Sequence, residues 1–171
     1  MRRVRYSVAI SLDGYIAGPN GESDWIIMDP RIDFEEYMGR FDTFLMGRRT
    51  FEVAGGGTVP GTKTFVVSRT LRQEDYPNVT ILGEGMEEAV SRLRAERGKD
   101  IWLFGGGSLF RSLLKAGLVD TVEVAVMPVL LGEGTPVLPP PGDRVRLRLT
   151  GSRVYEETGI VSLEYGVENP A

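Results

Sequence analysis

The sequence predicts an α/β fold, with about eight strands in a mixed, mostly parallel sheet and about four flanking helices. Three observations carry this expectation. Early in the chain, strand-like and helix-like segments alternate, which requires crossover connections between parallel strands. The last three strand-like segments have no helix between them, which makes an antiparallel edge. The 171 residues, 42% hydrophobic and 26% charged, suit one globular domain with a sizeable core.

The elements follow in order. Residues 4–12 read as a buried strand, because Val4, Tyr6, Val8 and Ile10 alternate with Arg5, Ser7, Ala9 and Ser11. Arg2, Arg3 and Arg5 read as its solvated end. Asp13-Gly14 marks a turn, and residues 18–21 a loop. Residues 32–40 form a short helix by the spacing of Phe34, Tyr37 and Met38. A strand at 43–46 is bounded by Gly47, and a second helix starts near Thr50 and ends at Gly55-Gly56-Gly57. Residues 64–68 and 79–82 are strands by their β-branched and aromatic content. Met86, Ala89, Val90 and Leu93 define an amphipathic helix closing near Gly98. A strand at 100–104 ends in Gly105-Gly106-Gly107. Ser108 is placed to cap the next helix, which carries Leu109, Phe110, Leu113 and Leu114 and stops at Gly117. Residues 121–127 form a strand and 131–143 a long loop rich in Gly and Pro. Residues 145–155 contribute one more strand and 160–167 the last.

Composition narrows the chemistry. The chain has no Cys and no His, which excludes disulfides, thiolate nucleophiles, Ser-His-Asp triads and zinc sites built from those ligands. The net charge of −4 argues against a nucleic-acid partner. No apolar stretch approaches the length that spans a bilayer, and no signal peptide is visible, so a cytoplasmic location without a membrane partner is expected.

Three predicted strand ends carry phosphate-binding chemistry. Phe104-Gly105-Gly106-Gly107-Ser108 joins a strand to a helix, where backbone N–H groups and the helix dipole meet an anion. Alone, it also reads as a tight turn. Met46-Gly47-Arg48-Arg49-Thr50 sets two arginines and a hydroxyl at another strand end, and arginine grips phosphate oxygens in pairs. Alone, these read as surface arginines. Val67-Ser68-Arg69-Thr70 repeats the theme. Ligands of open α/β sheets lie at the carboxyl ends of strands, so the three together point to a long, multiply phosphorylated ligand such as NADP.

In their order and spacing these pieces resemble the dihydrofolate reductase superfamily. They are most similar to its branch related to the reductase domain of the riboflavin-biosynthesis deaminase-reductase. The resemblance runs from about Val4 to Gly166. It rests on Ser11-Leu12-Asp13-Gly14-Tyr15-Ile16-Ala17, Gly21-Glu22-Ser23-Asp24-Trp25, residues 44–51, the Val-Ser-Arg element, Gly105-Gly106-Gly107-Ser108-Leu109 and residues 128–134. It implies a three-layer dihydrofolate-reductase-like domain over 1–171 that binds NADPH and reduces a small heterocyclic substrate, pterin- or pyrimidine-like. By matching, Arg48 and Arg49 bind phosphates near the adenosine and Thr50 lies at the pyrophosphate, after Gly47. Ser68 and Arg69 line the adenosine end. Gly106, Gly107, Ser108 and Leu109 hold the pyrophosphate, and Gly105, in the same cofactor-binding segment, is expected to join Gly106 through a cis peptide. Ala9 and Trp25 lie near the nicotinamide, and Ser23 and Trp25 face the substrate. Related domains pair as homodimers.

The family's proton-assisting carboxylate has three candidates here, Asp29, Asp33 and Glu36. Asp33 is nearest by position, and it also reads as a helix N-terminal acid favoured by the dipole. Two departures weigh against a phosphoribosyl-pyrimidine substrate: Phe104 stands where the riboflavin-pathway reductases carry a glutamate, and Arg40 only imperfectly matches their substrate-facing arginine. Three readings therefore remain: a reductase of another heterocycle, 5-amino-6-(5-phosphoribosylamino)uracil reductase proper, or a catalytically silent NADP-binding sensor. Trp102, on a strand, reads as core.

Overall fold

A computed structural model describes residues 1–168 of the chain. The strands are β1 (Val4–Ser11), β2 (Tyr15–Ala17), β3 (Phe41–Gly47), β4 (Lys63–Val67), β5 (Thr80–Leu82), β6 (Asp100–Gly105), β7 (Thr121–Met127), β8 (Thr135–Pro136), β9 (Arg146–Tyr155) and β10 (Ile160–Glu168). The helices are α1 (Phe34–Met38), α2 (Arg48–Val53), α3 (Met86–Ala95) and α4 (Gly107–Lys115). Eight strands form one sheet in the order β5-β4-β3-β6-β1-β7-β10-β9. The first six run parallel, and β10 and β9 close the edge antiparallel. The mixed sheet and four helices match the expectation from sequence.

Helices lie on both faces because both faces are apolar. On one face, Val4, Tyr6, Leu45, Ile101 and Leu103 meet Val90 and Leu93 of α3 and Leu109, Phe110 and Leu113 of α4. Tyr6 stacks on Phe110 with ring centroids 3.8 Å apart. Each such aliphatic side chain contributes about 1.5–3 kcal/mol by leaving water. On the other face, Phe41, Phe44, Met46 and Trp102 pack with Phe51 of α2 and, around them, Tyr37 and Met38 of α1. Trp102 is core, as its strand position implied, and its indole N–H donates to the Ser7 carbonyl at 3.0 Å. Helix α4 ends in a Schellman motif: Leu118 N donates to Leu113 O at 2.9 Å and Gly117 N to Leu114 O at 3.1 Å, with Gly117 at φ +70.

The structure corrects several expectations. Arg2 and Arg5 are not solvated; they are 4% and 7% exposed. Arg5 Nε donates to Glu123 at 2.5 Å, and its other nitrogens lie 3.2 Å from Asp100 and Glu164. Arg2 pairs with Asp42 and donates to the Lys99 carbonyl. Alternation along β1 cannot reveal this, because the carboxylates come from other strands. Helix α2 begins at Arg48 rather than Thr50, and α1 is shorter than 32–40 and buries no residue. The loop at 131–143 contains β8, which pairs with β2 in a small second sheet. Ser108 is not a cap: the N-cap of α4 is Gly106, and Ser108 lies inside the first turn.

Candidate functional site

Parallel strands deliver their carboxyl ends to one edge of the sheet, and the chemistry-bearing segments gather there. β3 ends in Gly47 and β6, beside it, in Gly105. Their backbones run so close that a methyl group on Gly47 would sit 3.8 Å from Gly105 O and Gly106 N. Thr50, in the first turn of α2, points its hydroxyl at the same place, 3.6 Å from where a Gly106 Cβ would be. The structure thus brings Gly47, Thr50, Gly105 and Gly106 together, and the Gly105-Gly106 peptide is cis.

The glycine triplet divides its labour. Gly105 has φ +125, a region L side chains avoid. Gly106 is extended, at φ −85 and ψ −169, and meets nothing but the Thr50 hydroxyl. Gly107 is packed shut: a Cβ there would lie 2.8 Å from both Pro136 O and Pro139 Cδ. Among the described residues no side chain caps α4, so the N–H groups of its first turn face outward from the Gly106 end with their partial positive charge. Leu109 is 7% exposed and its side chain belongs to the core, so only its backbone faces this end.

The basic residues lie on the same edge. Arg48 and Arg49 are exposed. Arg48 pairs with Glu52 one turn on, at 3.1 Å, while Arg49 and Arg69 make no ion pair among the described residues. Ser68 is 7% exposed, and its Oγ accepts from Thr70 N at 3.2 Å and Leu71 N at 3.0 Å. Its hydroxyl therefore shapes the turn that presents Arg69.

The other lobe lies across β1 and β7. Ala9 and Ala125 are paired neighbours in the sheet, and with Trp25 and Ile32 they pack on the cluster of Met127, Tyr155 and Ile160. Trp25 belongs to the loop after β2, and its indole N–H donates to Glu22 O at 3.1 Å. Ser23 is exposed on that loop, two residues before Trp25. Phe104, at the end of β6, is 38% exposed and tilts against Trp102 at 4.9 Å between ring centroids.

The three candidate acids have different fates. Asp33 is exposed and caps α1, accepting from Glu36 N at 2.8 Å, so its position is accounted for by the helix. Glu36 is exposed in the first turn. Asp29 is fully buried and accepts from Arg31 N, Nε and Nη2 and from the Thr158 hydroxyl. The Arg31 hydrogen bonds hold its carboxyl well below the usual range, a state unsuited to giving up a proton. Sequence reading missed a further polar cluster: the Tyr37 hydroxyl lies between Ser7 Oγ and Glu123, and burial pushes its pKa up. Only the contact of β7 with β1 under α1 reveals it.

Comparison with known proteins agrees with this architecture. The family model described as RibD C-terminal domain matches residues 2–161. The chain belongs to the RibD C-terminal domain family. Among relatives, Uncharacterized protein YyaP of Bacillus subtilis is 36% identical, over 96% of this chain and 94% of its own length. Riboflavin biosynthesis protein RibD of Mycobacterium tuberculosis is 29% identical over 75% of this chain, which corresponds to 43% of that longer protein. Among solved structures, a putative riboflavin biosynthesis protein from Shewanella superposes with a TM-score of 0.82 at 26% identity, covering 99% of this chain and 100% of that one. Dihydrofolate reductase from Enterococcus faecalis, complexed with NADP(H), shares the fold with a TM-score of 0.71 at 20% identity, covering 98% and 97%. The expected dihydrofolate-reductase-like fold is thus established. No helix among the described residues is long and apolar enough to cross a membrane.

Proposed function

We propose that this domain is an NADPH-dependent reductase that transfers a hydride to a small pterin- or pyrimidine-like heterocycle. One observation carries the reading. Gly106 leaves an open cradle beside the uncapped start of α4, faced by Gly47 at the end of the neighbouring strand β3 and by Thr50 of α2. A side chain at Gly106 would fill that cradle, so the glycine fits a backbone-bound pyrophosphate.

In this reading the chain's residues do the following. The N–H groups at the start of α4 and the Thr50 hydroxyl hold the pyrophosphate. Arg48 and Arg49 hold phosphate charge near the adenosine, and Arg69 flanks it. Ala9, small and on the sheet surface, leaves room for the nicotinamide, with Trp25 packed on the same cluster. When bound, the cofactor supplies the hydride from C4 of its dihydronicotinamide ring. The protein supplies alignment and excludes water. With no His or Cys, and with Asp29 and Asp33 held as hydrogen-bond acceptors, the accompanying proton comes from water, a hydroxyl or the remaining candidate acid, Glu36.

Phe104, in place of the glutamate of the riboflavin-pathway reductases, favours a second reading, a silent NADP-binding module. A screen of pterins, pyrimidines and flavins, followed by loss of dihydronicotinamide absorbance, separates the two. Turnover with any of them supports the reductase. NADPH binding without turnover across the screen supports the silent module.

A further inference from the structure

The loop at 19–31 is exposed throughout, except at two positions: Trp25 is half-buried and Asp29 fully buried. A short carboxylate is an improbable anchor for a loop by burial alone, since an isolated charge out of water is costly. Its partners offset that cost. Three donors come from Arg31, two residues on, at 2.9 Å from the backbone N and 3.0 Å from Nε and Nη2. The fourth is the Thr158 hydroxyl at 2.7 Å, 129 residues away in the turn between β9 and β10.

A second contact joins the same two segments. The Arg31 guanidinium lies over the Tyr155 ring, 5.6 Å from its centroid, and Tyr155 belongs to the cluster on which Trp25 and Ala9 pack. Both ends of the loop's second half are thereby tied to the antiparallel hairpin. Among the described residues, the Thr158 hydroxyl is the sole hydrogen-bond donor to the Asp29 carboxylate from outside the loop.

We infer that Asp29 and Thr158 form a clasp that fixes the Trp25 loop over the Ala9 lobe, making both of them positioning residues for whatever binds there. In this role the carboxylate acts through the placement of Trp25. Thr158 sets where the loop stands, and Arg31 keeps the carboxylate charged and aimed at Thr158. The binding consequence rests on the NADPH reading above, whereas the clasp itself does not.

The test uses the intact chain and the variants Thr158→Val, which removes the hydroxyl at nearly constant shape, and Thr158→Ser, which restores it. Acrylamide quenching of tryptophan emission reads the loop without any ligand, because Trp102 is only 6% exposed and the quencher reports Trp25. NADPH titration reads the lobe. Thr158→Val is expected to raise the quenching constant about twofold and to weaken NADPH about fivefold, a loss of about 1 kcal/mol. Thr158→Ser is expected to return both to wild type, which general destabilisation would not produce. Unchanged quenching in Thr158→Val overturns the clasp. Raised quenching with unchanged NADPH affinity overturns the positioning role. If the wild-type protein fails to bind NADPH, the cofactor reading falls along with the positioning role, and the quenching result alone still decides the clasp.

Discussion

Two adjacent glycines should respond oppositely to the same substitution. At Gly106 the backbone is extended, with φ −85 and ψ −169, so alanine fits without strain. Its Cβ would meet only the Thr50 hydroxyl, at an ordinary 3.6 Å. Gly106→Ala should therefore leave stability unchanged or raise it by about 0.4–1 kcal/mol through the unfolded chain. At Gly107 the new Cβ would lie 2.8 Å from a backbone carbonyl and from a proline ring, neither of which swings away cheaply. Gly107→Ala should cost about 1–3 kcal/mol of overpacking. For a domain of this size, that lowers Tm by about 2–12 °C. Ligand binding should invert the order. The Gly106 methyl enters the cradle and displaces a phosphate oxygen from a backbone N–H. Losing one such hydrogen bond to a charged group costs about 1.5–3 kcal/mol, or about tenfold to somewhat over a hundredfold in Kd. Thermal unfolding and NADPH titration of both variants decide the matter. If Gly106→Ala binds NADPH like wild type, or melts as low as Gly107→Ala, the assignment of the cradle is wrong.

Four further outcomes are expected. Replacing Arg48 and Arg49 together by alanine should weaken NADPH by about 1.5–3 kcal/mol per lost charge-assisted hydrogen bond while leaving NADH almost unaffected, as paired titrations would show. Arg5→Met strips Glu123 of its closest cation and should cost about 3–5 kcal/mol in urea unfolding, because a buried carboxylate loses its partner. Asp13 accepts from the Ser11 hydroxyl and from Gly132 N and Leu131 N, which lowers its pKa from 3.8 to about 2. A depressed carboxylate stabilises the fold fully above its unfolded pKa. The stability gap between wild type and Asp13→Asn should therefore shrink as pH falls from 3.8 toward 2, and a gap constant across that window would refute the assignment. We propose that the chain pairs as a homodimer; light scattering should give about twice the 18.9 kDa chain mass, and a monomer mass would refute it.

Much of this architecture was readable in the sequence because its signals are local. The 3.6-residue spacing of Met86, Val90 and Leu93 gave α3, and Gly117 gave the end of α4. The strand-end glycines and arginines marked the carboxyl edge of the sheet where the structure gathers them, since each sits a residue or two from its element boundary. What stayed hidden is non-local. Arg2 and Arg5 looked solvated because their carboxylate partners, Asp42, Asp100, Glu123 and Glu164, are distant in sequence. β2 and β8 are too short for any period to show and exist only by pairing with one another. The role of Asp29 was equally hidden, because no spacing rule connects it to Thr158. Ser108 misled in the other direction: a serine after glycines usually caps, but Gly106 starts the helix two residues earlier.

The central claim is most directly tested by titrating the wild-type protein with NADPH and, in parallel, NADH, following the quenching of Trp25 and Trp102 fluorescence. The account predicts saturable NADPH binding at least about tenfold tighter than NADH, because the proposed reading sets the exposed Arg48 and Arg49 against the additional phosphate. Equal affinity for the two would contradict the arginine assignment, and binding of neither would contradict the cofactor site itself.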